Sequence, residues 1–228
     1  MTEDEKKKGL LKSFPLTYWV TIFLEFLERG AYYGLNAVLA IYLTDKLGFT
    51  SESVGFLQGF VYALTYVMPI AGGALAERLG YKKMLLTAFS LLTVGYFAAG
   101  NFDSYGLVFL FLLMMATGSG LFKPIITGTV ARTTTKENSG FGFGLYYWSI
   151  NLGALVFPLF VSWLRGNFDW KYIFFASSLW CFLMYLPTLF FYKEPERPKN
   201  AKPAKQVLIE AVTVLSDSRF MLMILVYS

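Results

Sequence analysis

The sequence predicts an all-α polytopic membrane protein, and three observations carry that prediction. Hydrophobic residues make up 56% of the 228 positions and aromatics 19%, more than an ordinary soluble domain holds. Charged residues reach only 15% and gather in clumps between long apolar runs. Six of those runs are long enough for a helix to cross the hydrocarbon core, which takes about 20 residues.

The six segments are placed at 14–43, 53–77, 83–101, 105–131, 140–165 and 170–192. Residues 1–13 form a charged tail without a cleavable signal pattern, so the first segment stays in the mature protein. The first and fourth segments exceed what the hydrocarbon requires, which predicts tilt, bending or extension past the interface. Small residues at 72, 73 and 74 suit close helix packing at the end of the second, and Gly80 permits a tight reversal into the third. After the sixth, residues 193–218 begin rich in proline and charge, as a linker does, and Val207 to Leu215 reads as a short helix. A new apolar run starts after Arg219 and reaches Ser228 in about nine residues, too few to span. Residues 219–228 therefore read as the start of a seventh membrane helix, and the chain as the first half of a longer protein.

Charge placement gives the orientation. Lys6, Lys7, Lys8 and Lys12 precede the first segment; Arg78, Lys82 and Lys83 join the second to the third; Arg132 and Lys136 join the fourth to the fifth. Lys193, Arg197, Lys199, Lys202 and Lys205 follow the sixth, whereas the alternate connections hold only Lys46, Arg165 and Lys171. This asymmetry predicts a cytoplasmic N-terminus in the cell (inner) membrane. It also accounts for the net charge of +5 without a nucleic-acid partner. The chain has no histidine and a single cysteine, Cys181, inside an apolar segment. The commonest metal ligand and general base are thus missing, and neither a cofactor, a metal nor an enzyme activity is expected.

Within the first segment, Glu25, Glu28, Arg29, Tyr32, Tyr33 and Asn36 fall at offsets 0, 3, 4, 7, 8 and 11. At about 3.6 residues per turn they share one helix face, opposite the apolar Ile22, Phe23, Phe26, Leu27, Leu35 and Val38. Charges at membrane depth are expensive, so this face should look into a cavity or at partner helices. In the fourth segment, Lys123 stands mid-run beside Gly118, Gly120 and Pro124. Proline should bend the helix there, and a buried ammonium points to a cavity; the plainer alternative is a lysine snorkelling to the interface. Asn151 in the fifth segment shares a face with Tyr147 and suits a substrate with peptide-like groups, or an ordinary inter-helix hydrogen bond. Tyr66 in the second reads as packing when taken alone. Between the second and third, Glu77, Arg78, Lys82 and Lys83 can form inter-helix ion pairs at the membrane edge, or serve only as a positive-inside loop.

Together these motifs are more specific than any one of them. The stretch from Gly73 through Glu77, Arg78 and Gly80 to Lys82 and Lys83 resembles the loop motif of the major facilitator superfamily, with Glu77 where Asp is usual. Glu25-x-x-Glu28-Arg29-x-x-Tyr32-Tyr33-Gly34, Gly118-x-Gly120-x-x-Lys123-Pro124 and Tyr147-x-x-Ile150-Asn151-x-Gly153 resemble the proton-coupled oligopeptide transporter family within that superfamily. The resemblance covers about residues 14–192, the N-terminal six-helix bundle of that fold. It implies that Glu25 and Glu28 take part in proton coupling with Arg29 and Lys123 as charge partners. It also implies that Arg29, Tyr32, Tyr33, Tyr66, Lys123 and Asn151 line a site for di- or tripeptides, and that the loop from Gly73 to Lys83 gates. The implied partners are protons, a small peptide, membrane lipids and a C-terminal bundle of the same chain. One departure stands out: the family has Phe after Glu-Arg, and here it is Gly30. The four charges Glu25, Glu28, Arg29 and Lys123 sum to zero, so protonating one glutamate frees a cation for a substrate carboxylate, which makes proton and substrate favour each other. A same-fold carrier of a non-peptide anion, a membrane-embedded enzyme or receptor, and a six-helix protein that dimerises remain as alternatives.

Overall fold

The computed structural model describes residues 11–196, together with Gly9, Gln206, Ile209 and Thr213. Among them every regular element is a helix: α1 (Leu16–Ile41), α2 (Ser51–Leu79), α3 (Tyr81–Ala99), α4 (Tyr105–Thr133), α5 (Ser139–Asn167), α6 (Trp170–Leu183) and its short continuation α7 (Tyr185–Phe190). A five-residue π-helical turn, Tyr42–Lys46, extends α1. The elements agree with the six segments of the sequence, with α6 and α7 together making the sixth. Most of the linker and the residues from 219 onward lie outside the described residues.

Helices α2, α4 and α5 hold 29 residues each, about 43 Å of rise against about 30 Å of hydrocarbon. Four helices (α2, α4, α5 and the combined α6–α7) are long and apolar enough to cross a membrane by composition alone. The other two miss that mark for visible reasons: α1 carries Glu25, Glu28 and Arg29 at its centre, and the 19-residue α3 begins with Lys82 and Lys83. Pro124 lies inside α4, and the helix continues through it from Tyr105 to Thr133.

The helices pair tightly. The most extensive contacts are α3 with α4, α1 with α5 and α2 with α4, while α6 packs on α3 and α1. Hydroxyls inside the bundle are satisfied locally: Thr21, Thr65, Thr117 and Thr129 each donate to the carbonyl four residues back. Other polar side chains tie helices together, as Tyr18 does by donating to the Gly142 carbonyl at 2.8 Å and Ser178 to the Thr93 carbonyl at 2.8 Å.

The crossing of α1 and α5 depends on two facing glycines. A Cβ at Gly153 would come within 3.0 Å of the Phe26 carbonyl oxygen and 3.2 Å of the Gly30 nitrogen. A Cβ at Gly30 would enter the Phe157 ring, with Cγ only 2.6 Å away. Gly30 therefore does not leave a hole. The space is filled across the interface by Phe157, whose ring stands edge-on to Phe26 at 5.3 Å and to Trp180 at 5.5 Å.

At the end where α2 turns into α3, Gly80 adopts φ 102°, a conformation that side-chain-bearing residues rarely take. Gly80 has no side chain to cap α3, and the cap comes from elsewhere in the chain: the Glu194 carboxylate accepts from the Tyr81 amide at 2.7 Å. The two residues before it are held as well. Tyr192 is 2% exposed and shares a hydrogen bond with Thr129 at 2.7 Å, and Thr17 both donates to and accepts from the Lys193 backbone at 3.2 Å. Lys82 adds a bond to the Leu189 carbonyl at 2.9 Å. Residues 189–194 thus form a strap across the ends of α1, α3 and α4.

Candidate functional site

The centre of the bundle holds a charged cluster. Glu25, Glu28 and Arg29 are 0%, 1% and 3% exposed, on the face of α1 that the sequence marks as polar. The neighbouring helices are α4, α5 and α6. Arg29 is committed to Glu28: its Nε donates to Glu28 Oε2 at 2.6 Å and its Nη2 forms an ion pair with the same oxygen. The other Glu28 oxygen accepts a hydrogen bond from Ser119 Oγ at 2.7 Å, and Arg29 Nη2 donates to that same hydroxyl at 3.2 Å. Glu25, one turn back, has Arg29 Nε only at 3.5 Å, and neither of its oxygens has a hydrogen-bond partner of ordinary length among the described residues. The two glutamates are therefore held in different ways.

The rest of the expected site is arranged around this cluster in two zones. Tyr32 and Tyr33 lie under the guanidinium, with ring centroids 4.8 and 5.9 Å from Arg29 Cζ, a cation–π arrangement. Lys123 makes no ion pair with either glutamate. Its half-buried ammonium sits 5.9 Å from the Tyr66 ring centroid and acts on Glu25, Glu28 and Arg29 through space only. The expected charge partner is thus an electrostatic neighbour and not a contact. Tyr66 is 72% exposed, and Asn151 is exposed, donating to the Tyr147 carbonyl four residues back at 2.9 Å. Tyr66 and Asn151 lie near the middle of 29-residue helices, α2 and α5, and Ser119 is the middle residue of α4. These three residues thus stand at or near the midpoints of their helices.

The loop motif is built differently from the pairing that its own charges allow. Glu77 does not pair with Arg78 or the lysines. Its Oε1 takes Arg132 of α4 at 2.5 Å and the Tyr81 hydroxyl at 2.9 Å, with Arg132 Cζ 4.8 Å from the Tyr81 ring. The physical reason is register: Arg78 is exposed, one residue on from Glu77 and around the helix, whereas the last turn of α4 lies beside α2. Gly73 faces Pro124, with 3.6 Å to a Cβ there, while Lys83 is exposed. Sequence reasoning missed three partners, Ser119, Arg132 and Glu194. Ser119 stood in the Gly118–Gly120 motif, Arg132 was counted only as loop charge, and Glu194, 113 residues from Tyr81, left no local signal.

The family model of the Major Facilitator Superfamily matches residues 21–228. Dipeptide and tripeptide permease B of Aliivibrio fischeri is 32% identical over 72% of this chain and 34% of its own length. Dipeptide and tripeptide permease A of Proteus mirabilis is 29% identical over 89% of this chain and 42% of its own. The chain thus spans well under half the length of these curated relatives. Among solved structures, a peptide transporter POT in complex with sulfate superposes with TM-score 0.74 at 23% identity, covering 97% of this chain and 49% of that one. A POT family transporter in complex with 5-aminolevulinic acid gives TM-score 0.72 at 24% identity, covering 95% and 49%. These structures share the fold of this chain. Helices of membrane-spanning length and the permease relatives make it an integral membrane protein. The chain belongs to the major facilitator superfamily.

Proposed function

We propose that this chain is the N-terminal half of a proton-coupled symporter that imports di- and tripeptides by alternating access. The observation that carries the reading is the unequal treatment of the two buried glutamates. Glu28 is held by Arg29 and Ser119, whereas the fully buried Glu25 has only loose neighbours among the described residues, Arg29 Nε at 3.5 Å and the Tyr146 hydroxyl. A buried carboxylate held this loosely is costly, and taking up a proton removes the charge. Glu25 is the proton carrier in this reading, Glu28 the fixed counter-ion of Arg29, and Lys123 the cation that meets a peptide carboxylate once the cluster is positive. Tyr32, Tyr33, Tyr66 and Asn151 line the same site. Exposed Tyr66, Tyr147 and Asn151 would face a second six-helix bundle of the same protein, with residues 1–13 as a cytoplasmic tail and 193–218 as the linker. The Glu77–Arg132 pair would act as the cytoplasmic latch between α2 and α4 in the inner membrane.

The dipeptide and tripeptide permease relatives support a peptide over a non-peptide anion. Gly30, the departure from the family pattern, carries less weight against a peptide once Phe157 is seen to occupy its space. The test is uptake of labelled dialanine by the intact protein in vesicles. Glu25→Gln is expected to abolish accumulation driven by a proton gradient while exchange of labelled for unlabelled peptide continues. Accumulation against the gradient in that variant would sink the reading, and saturable uptake of labelled nitrate that dialanine does not compete would favour the anion.

A further inference from the structure

Beyond holding Glu28, Ser119 is the only described side chain hydrogen-bonded to both Glu28 and Arg29. It is 1% exposed, donates to Glu28 Oε1 at 2.7 Å and accepts from Arg29 Nη2 at 3.2 Å. A hydroxyl has one proton to give, and here a carboxylate oxygen receives it while the guanidinium takes a lone pair. The guanidinium is thereby pinned at two points, on Glu28 Oε2 and on Ser119, at shorter range than its 3.5 Å contact to Glu25.

The backbone around Ser119 cannot drift. A Cβ at Gly118 would lie 2.9 Å from the Ala88 carbonyl oxygen of α3, and one at Gly120 would run into the Met68 side chain of α2. The residues flanking Ser119 are thus wedged against two other helices, and its hydroxyl is presented to α1 at a fixed place. Removing the oxygen would leave Glu28 Oε1 short of a donor. Arg29 Nη2 would lose its second anchor, and the guanidinium could tighten the 3.5 Å contact its Nε already makes to Glu25, whose other neighbours are Lys123 of α4 and the Tyr146 hydroxyl of α5.

We propose that Ser119 is a positioning residue that makes the two glutamates unequal. By holding Arg29 on Glu28, it leaves Glu25 as the carboxylate that takes the transported proton. The proton comes from the outer solution, binds a Glu25 oxygen and leaves to the cytoplasm, and no bond of Ser119 is made or broken. This role rests on the proton–peptide reading and specifies how its site is tuned.

The test compares Ser119→Ala, Ser119→Thr and Glu25→Gln in the intact protein reconstituted in vesicles, with labelled dialanine as probe. In Ser119→Ala, proton-driven accumulation falls about tenfold, the size set by a hydrogen bond to a charged group. The pH at half-maximal uptake moves by about one unit. Peptide exchange without a gradient stays within about twofold, because Arg29 and Lys123 remain. Ser119→Thr restores the hydroxyl and with it the pH profile. An unmoved pH profile in Ser119→Ala overturns the proposal, as does equal loss of exchange and accumulation, which marks a merely structural residue. If Ser119→Ala does not fold, Ser119→Cys, a weak donor of similar size, carries the same comparison. Glu25→Gln separates the two levels: continued accumulation there rejects the proton–peptide reading itself, whereas lost accumulation with an unmoved Ser119→Ala profile rejects only the role of Ser119.

Discussion

Replacing Gly30 by alanine tests whether the crossing of α1 and α5 is as tight as described. The added Cβ would stand 2.6 Å from Phe157 Cγ, where carbon atoms rest comfortably at about 3.5–4.0 Å, so the ring must retreat by roughly 1 Å. It has little room to do so: Phe157 is 6% exposed and wedged between Phe26 and Trp180. Overpacking of this kind costs about 1–3 kcal/mol, against a gain of about 1 kcal/mol from removing glycine from a helix interior. The net expectation is a loss of about 1 kcal/mol, read as a fall of a few degrees in the melting temperature of the purified protein. In a Phe157→Leu background the smaller side chain makes room, and the same Gly30→Ala change should become neutral or stabilising, a coupling of about 1 kcal/mol. A rise in melting temperature for Gly30→Ala alone would show that propensity wins and would refute the packing account.

The proposed latch role of the Glu77–Arg132 pair and the proposed orientation can be tested with the same preparation. Glu77→Gln removes a pair whose side chains are 27% and 25% exposed, so about 0.5–1 kcal/mol is at stake, and maximal uptake should change two- to fivefold with the peptide KM nearly constant; a change in KM alone would place Glu77 in binding. For orientation, Lys136→Cys in a Cys181→Ala background should react with a membrane-impermeant maleimide only from the cytoplasmic side, and labelling from outside would reverse the topology.

The sequence revealed much of the fold because helix length and hydrophobicity are local properties. The six segments differ from the observed helices by only a few residues at each end, since the bilayer demands unbroken apolar runs and charged turns punctuate them. The face carrying Glu25, Glu28 and Arg29 was legible for the same reason: helical periodicity alone puts these residues together, and the cost of buried charge says which way they point. Partnerships between helices were not legible. Glu77 meets Arg132 across 55 residues and Ser119 meets Glu28 across 91, and no local pattern encodes which helices become neighbours. Gly30 shows the same limit. Read alone it is a lost aromatic ring and a loosened helix, whereas in the bundle it is the seat of a ring supplied by α5.

The strap at the end of α7 has a mechanical consequence. The Glu194 carboxylate is anchored on the first amide of α3, so the backbone is pinned there and not where the helix ends at Phe190. Four residues that would otherwise count as slack are taken up, about 14 Å of extended reach. Tension on the chain beyond Glu194 is therefore delivered to the α2–α3 turn, beside the Glu77–Arg132 pair, before it reaches the last turn of α7. A pull on the chain at Glu194 is a pull on the helix turn that carries Tyr81 and Glu77.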